Sequence, residues 1–269
     1  MVVGLNSEKP CRELSVGEIF SLTLNMYLSR FWQFFCVFLV GGIVTGLLSL
    51  AVMTLFPMRA QPSSSASFEE LMAYLFALLY RIIIVGVLLG LVSWIVGCVT
   101  GGFAVKYASD LIEGRSPSLS GSLNFAFLKL PSLLVAQFIA GVLFVVGLIL
   151  LIVPGIIIAI MFSLTIPAII IEQRDAFESL SRSRKLVSNR WLKAFAVLLL
   201  IAIIILVVSS AASLLASPLN AILPNVDQLV SNVTAAFATP ISPIAVTYLY
   251  YAMTAKEAQQ PPPPPPPNF

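Results

Sequence analysis

The chain contains no histidine, so the side chain that most often serves as general base and as metal ligand is missing. Charge is scarce too: 10% of the 269 residues are Asp, Glu, Lys or Arg, against about a quarter in soluble domains. The three cysteines, Cys11, Cys36 and Cys98, make no CxxC pair, which leaves neither a disulfide framework nor a zinc site indicated. No nucleophile–base pair, metal set or phosphate-binding loop is visible. No catalytic residue, cofactor or metal ligand is therefore assigned, and enzymatic activity is not expected. With a net charge of only +3, no nucleic-acid partner is expected either.

What is present is apolar sequence in long pieces. Hydrophobic residues make up 59% of the chain, and no charged residue occurs between Lys129 and Glu172. That interval holds an apolar run from Ser132 to Val153, a Pro154-Gly155 corner and a second run from Ile156 to Ile171. Two bilayer-crossing helices joined by a tight turn account for it, whereas a soluble domain does not. The same reading along the chain gives an all-α, polytopic membrane helical bundle. Its six transmembrane helices fall at about 31–56, 82–105, 132–153, 156–171, 191–215 and 229–251. Residues 1–14 are an N-terminal segment lacking a signal-peptide core, 15–256 the membrane domain, and 257–269 a tail with seven consecutive prolines.

Three interfacial amphipathic helices are expected beside the spans. Ser15 and Glu18 have capping-box spacing, and Val16, Ile19, Phe20, Thr23 and Tyr27 then share one side of a helix ending near Arg30. Leu119, Leu123, Ala126, Phe127 and Leu130 mark a second. Asp175 and Glu178 open a third, with Ala176, Phe177, Leu180 and Val187 as its apolar side. A shift of 160 positions sets Ser15 on Asp175, Glu18 on Glu178, Arg30 on Arg190 and Phe31 on Trp191. Three copies of one unit would explain this; so would the shared need of such helices for a cap and a basic end. The apolar pattern from Phe68 to Leu111 is too long for one span, so Arg81 and Lys106 are read as its limits and 68–80 as an outer extension. Pro218 to Asp227 reads as a loop, and Pro240 and Pro243 are expected to kink the last span.

Arginine and lysine favour cytoplasmic loops. With six spans and both termini cytoplasmic, every lysine and arginine except Arg59 and Arg81 falls on the inner side. Four of them, Arg182, Arg184, Lys185 and Arg190, are candidates for anionic lipid head groups, worth about 1 kcal/mol each near such a surface. Glu172 is read as a proton or ion site or, with more weight, as a carboxylate fixing its loop through Arg174 or Arg182. Arg81, at the outer boundary, either lines an anion pathway or snorkels to lipid phosphates. The polyproline tail suits an SH3-like or WW-like partner, with a plain low-complexity terminus the weightier reading. Asn232-Val-Thr234 fits a glycosylation sequon but sits at the edge of a span. Oligomeric state is left open.

Val153-Pro-Gly-Ile156, Pro167, Glu172 and the Ser-Arg-Ser-Arg-Lys-Leu within Ala176 to Leu186 together resemble the membrane domain associated with glycerophosphoryl diester phosphodiesterases. Leu14-Ser-Val-Gly-Glu18 resembles that group's opening, and the ten residues ending in Tyr250-Tyr251 resemble the close of its last span. Ala-Met-Thr-Ala-Lys256 departs from the acidic and basic residues usual after that point, and Asn189-Arg190 stands where glycine is common. The resemblance implies a multi-pass prokaryotic membrane protein, in its membrane part alone. The catalytic barrel of such phosphodiesterases, with its histidines, has no counterpart, so that activity is not carried over. The expected role is non-enzymatic: binding or organising lipids or partner proteins through a basic cytoplasmic face. The alternative is a transporter or efflux component for an amphiphilic solute, drawn from the glycine-rich second span and the proline-broken sixth.

Overall fold

The computed structural model describes residues 12–57, 61–63, 66–188, 190–222 and 234–259. Among them regular structure is helical, with no strand. In chain order the helices are α1 (Val16–Ser29), α2 (Phe31–Leu55), α3 (Phe68–Ile112), α4 (Leu119–Leu128) and α5 (Leu130–Leu150), then α6 (Ile152–Met161), α7 (Thr165–Ile171), α8 (Ala176–Ser188), α9 (Trp191–Ile222) and α10 (Ile241–Gln259). Arg59, Asn189, the Asn232 sequon, the start of the sixth expected span and the polyproline tail lie outside the described residues.

Among the described residues five stretches are long and apolar enough to cross a membrane: Phe31–Leu55, Phe68–Ile112, Leu130–Leu150, Ile152–Ile171 and Trp191–Ala211. They overlap the first five expected spans, the second of them within a helix that runs well past 82–105 at both ends. The described part of the sixth is a helical turn at 234–238, a break at Thr239-Pro240 and then α10. The break falls where Pro240 has no N–H to give the carbonyl of Ala236. Pro243 lies in the first turn of α10, where a helix does not use its amide donors.

α3 runs unbroken through Arg81 and Lys106 for 45 residues, about 68 Å at the α-helical rise. Only its C-terminal third, from Cys98 to Ile112, is mostly buried. α10 is the central helix, since Ile244 to Met253 are all buried. It packs against α1, α3, α7 and α9, which is why its sequence shows no one-sided apolar stripe.

Each short helix gives way to a long one that is entered from a basic residue: Arg30 before α2, Lys129 before α5 and Arg190 before α9. At the first joint the amides of Gln33 and Phe34 donate to the carbonyl of Arg30. At the third, the amides of Lys193 and Ala194 donate to that of Arg190. The 160-residue shift thus reproduces the backbone pattern of the joint.

Four expectations are corrected. The corner after α5 is Leu151, in extended conformation; Pro154 and Gly155 sit inside the first turn of α6, where a missing N–H costs nothing. The fourth span is two helices, interrupted at 162–164. α9 continues through Pro218 to Ile222 in place of a loop from Pro218, because a helix can forgo the one bond a proline removes near its end. Phe177 does not share a side with Ala176, Leu180 and Val187: it is 73% exposed, while those three are buried together with Ser179 and Ser183. The buried side of α8 packs on α5, α6, α7 and α9, and small serines allow the closer approach.

The α5–α6 hairpin closes on glycine. A Cβ at Gly147 would lie 2.9 Å from Gly155 Cα, and one at Gly155 would lie 3.0 Å from the backbone nitrogen of Leu148. Backbone cannot yield as a side-chain tip can, so Gly155→Ala should cost about 1–3 kcal/mol and lower the melting temperature of the purified protein. Gly90→Ala, where a Cβ meets nothing within 4 Å, should leave it unchanged or raise it, as glycine costs up to about 1 kcal/mol in a helix.

Candidate functional site

The charged residues gather where α7 ends and α8 and α10 meet. Glu172 is the C-cap of α7, and Gln173 after it has a φ of +54°, the left-handed cap conformation usually given to glycine. That turn sends the chain into α8 and leaves the Glu172 carboxylate between three donors. Tyr250 Oη and Arg182 Nε donate to Oε1, the latter at 3.0 Å, and Arg174 Nε donates to Oε2. Arg182 spans from Glu172 to Glu257, 2.7 Å away, and Lys185 reaches the same Glu257 at 3.4 Å. Burial alone would push the Glu172 carboxyl up, but the hydrogen bonds from Tyr250, Arg174 and Arg182 outweigh it and hold it below the ordinary carboxylate value. Glu257 is likewise lowered, its burial outweighed by Arg182 and Lys185.

A second ionic group lies at the end of α3. Asp110 takes Lys106 at 2.6 Å and Arg115 at 3.4 Å; Glu113 takes Arg115 at 2.7 Å. Tyr251 Oη donates to Glu113 at 2.7 Å. Adjacent tyrosines on α10 therefore reach carboxylates on two different helices. Lys129 Nζ donates to the carbonyl of Gln173 at 3.3 Å, and Lys193 pairs with Glu13 at 2.9 Å.

The sequence-selected residues divide accordingly. Glu172 accepts from Arg174 of the loop that follows it and from Arg182 of α8. Arg182 is an ion-pair bridge with its side chain 14% exposed, and Arg190 donates to the carbonyl of Met253 at 3.0 Å, tying the α8–α9 joint to α10. Arg184 and Lys185 are exposed. Arg81 stands apart, its Nε donating at 2.7 Å to the carbonyl of Phe56, the C-cap residue of α2. Sequence reasoning missed Tyr250, Tyr251, Glu113, Glu257 and Ser183. With only 12 acidic residues in the chain, Glu113 and Glu257 beside basic neighbours were the available signal; Ser183 had none.

Both helix breaks are sealed by a hydroxyl from a short helix. Ser183 Oγ donates to the carbonyl of Met161 at 2.6 Å and accepts from the amide of Leu164 at 3.1 Å. Tyr27 Oη of α1 donates to the carbonyl of Phe237 at 2.7 Å. Between the breaks, α2, α3, α7 and α10 surround a cavity of about 400 Å³. Glycine, small apolar residues and hydroxyls line it, with no charged side chain among its described lining residues. The carboxylates at the charged end are engaged by donors and suit anchoring rather than proton abstraction.

Helices of this length and hydropathy, with a buried central helix, define a protein whose described residues are all-helical and hold five stretches able to span a membrane. The chain belongs to the family described as "Domain of unknown function (DUF7847)", whose model matches residues 28–256. That match takes in every helix from α2 to α9 and nearly all of α10, and its description makes no connection to phosphodiesterase membrane domains. Comparison with curated proteins and with solved structures gave no match.

The network fixes a pH dependence. A carboxyl whose folded pKa is depressed adds stability that is full above its unfolded value, here 4.5, and is lost as pH falls through the folded value. The melting temperature should therefore hold down to about pH 5 and drop below it. Glu172→Gln should cost about 1–3 kcal/mol at neutral pH and make the acid drop shallower. A variant as stable as the parent at pH 7 would show that Glu172 does not anchor the bundle.

Proposed function

We propose that this is a six-span integral membrane protein of the cell membrane, with both termini in the cytoplasm. It works without catalysis, binding or organising lipids or partner proteins at a basic cytoplasmic face. The observation that carries the reading is the outer side of α8, where Phe177, Arg184 and Lys185 are exposed while Arg182 turns inward to Glu172 and Glu257. An aromatic ring beside two cations suits the boundary between acyl chains and anionic head groups. In this reading α1, α4 and α8 lie at the inner interface, and Arg30, Lys129 and Arg190 mark where the chain enters the bilayer. The likeness to the phosphodiesterase membrane domains fits the same picture. The polyproline tail is a second candidate contact, for a partner that reads extended proline segments.

A second reading, a transporter or efflux component for an amphiphilic solute, is favoured by the cavity between two interrupted helices. Broken helices around a mid-membrane site are a recurring transporter arrangement. Solute flux into vesicles carrying the purified protein supports it, and no flux above empty vesicles removes it.

For the lipid reading, Arg184→Gln with Lys185→Gln should lower phosphatidylglycerol retention, by about fivefold per charge removed, with only the small loss of melting temperature that the exposed Lys185–Glu257 pair implies. Arg182→Gln should do the reverse, destabilising the fold through Glu172 and Glu257. Unchanged lipid retention in the double variant would overturn the proposal.

A further inference from the structure

Toward the other end of α3 from its ionic group, Arg81 has a pocket of its own. Arg81 and Lys106 lie on the one unbroken helix, about 38 Å apart at the α-helical rise. A hydrocarbon core is about 30 Å thick, so with Lys106 and Asp110 at one interface Arg81 reaches the opposite one. Phe68, Phe76 and Tyr80 of the same part of α3 are all exposed, and aromatic rings gather where acyl chains meet head groups.

The sequence makes the pocket by spacing and size. Tyr74, Ala77, Leu78 and Arg81 recur at helical intervals and so share one side of α3, the side that meets Phe56 and Pro57 where α2 ends. Ala77 is too small to fill the gap, and a cavity of about 260 Å³ remains. Leu55 and Tyr80 also line it, and both are exposed.

The guanidinium in this pocket is fixed but not satisfied. Its Nε donates to the carbonyl of Phe56 at 2.7 Å, and its Nη2 lies 3.6 Å from Met53 Sδ, a weak acceptor. A guanidinium carries five N–H donors, and the others find no acceptor among the described residues. No carboxylate among those residues pairs with Arg81, and the C-terminus of α2 offers only about half a negative charge. The hydroxyls of Tyr74 and Tyr80 likewise have no partner among the described residues. A snorkelling arginine extends away from the protein, whereas Arg81 is turned onto the end of α2. An uncompensated cation with free N–H and O–H donors beside it is complementary to a phosphate, which a guanidinium binds with two parallel hydrogen bonds.

The volume bears on what carries that phosphate. The pocket falls just under the roughly 300–1,000 Å³ of sites that enclose a whole small molecule, so it suits one group of a larger ligand. Leu55, Leu75 and Leu79 are exposed around it and offer apolar surface for the rest.

We propose that this pocket holds the phosphodiester of a membrane phospholipid, with Arg81 as the anchor and Tyr74 and Tyr80 as further donors. The site is distinct from the basic face of α8 and lies at the outer leaflet in the topology proposed above. It rests on the membrane part of that reading alone.

The probes are dioleoylphosphatidylcholine, whose zero net charge keeps a basic surface from attracting it, dioleoylglycerol, which has the same chains without the phosphodiester, and inorganic phosphate. Each is titrated onto the purified full-length protein in detergent, with bound lipid read by native mass spectrometry. Phosphatidylcholine should bind about tenfold more tightly than dioleoylglycerol, the worth of one charge-assisted hydrogen bond. Arg81→Gln should erase that preference. Because this change also removes the contact with Phe56, Ala77→Leu is the second variant: it fills the pocket, leaves Arg81 in place and should erase the preference too. Tyr74→Phe should reduce it about threefold. Arg184→Gln with Lys185→Gln should leave it intact, which separates this site from the cytoplasmic face. Equal binding of dioleoylglycerol, an unchanged preference in folded Ala77→Leu, its loss in the Arg184 and Lys185 double variant, or displacement of the lipid by inorganic phosphate would each overturn the proposal.

Discussion

A single carboxylate holds the charged end together. Glu172 closes α7, and its three donors come from the loop that follows, from α8 and from the central α10. A carboxylate withdrawn from water needs such donors, and leaving one of these partners unpaired costs more than the pair itself contributes. The left-handed turn at Gln173 serves this arrangement. A residue other than glycine accepts that backbone at a cost of order 1 kcal/mol, and here it separates Glu172 from Arg174 by the one step that lets them face each other. The paired ions sit together because each partly buried charge needs the next.

The central helix is oriented by adjacency. Consecutive residues on a helix point about 100° apart, so Tyr250 and Tyr251 reach two sides at once, Glu172 behind α7 and Glu113 at the end of α3. Rotation or sliding of α10 would break both contacts together. Arg190, bonded to the carbonyl of Met253, adds a third tie from the α8–α9 joint.

Much of this was legible and some of it was not, for physical reasons. Uncharged runs announced the long helices because hydrocarbon-length apolar sequence has few other uses, and the basic residues at 30, 129 and 190 marked the joints. Local chemistry was legible as well: the box of Ser15 and Glu18 forms as its spacing implies. The corner was misplaced because Pro154-Gly155 has the composition of a turn, while the chain turns three residues earlier at Leu151 and uses the pair inside α6. Phe177 was grouped with Ala176, Leu180 and Val187 because periodicity weighs hydrophobicity, whereas α8 buries serines beside those three to reach a broken backbone and leaves Phe177 outside. Ser183 could not be read at all. Its role depends on a helix break 20 residues upstream, and nothing in a serine's neighbours records a distant unpaired amide. The basic cluster looked uniform in sequence and separates in space, with Arg182 turned in to carboxylates and Arg184 turned out.

Polarity is thus sorted along the molecule. Among the described residues ionic pairs cluster where α3 ends and where α8 and the close of α10 meet, and the polar side chains lining the cavity between the two helix breaks are hydroxyls. The sorting follows from what each group tolerates. A hydroxyl can donate to a carbonyl of its own helix and stay satisfied in an apolar setting, whereas a carboxylate there would require a full complement of donors. The breaks themselves obey the same rule, since Ser183 and Tyr27 supply the bonds that Met161 and Phe237 would otherwise lack. Prolines then leave the carbonyls of Ser163 and Ala236 without an intrahelical donor beside hydroxyls that have already donated. Acceptors accumulate where no donor follows, so the interior is polar without charge, and the charged end is complete in itself.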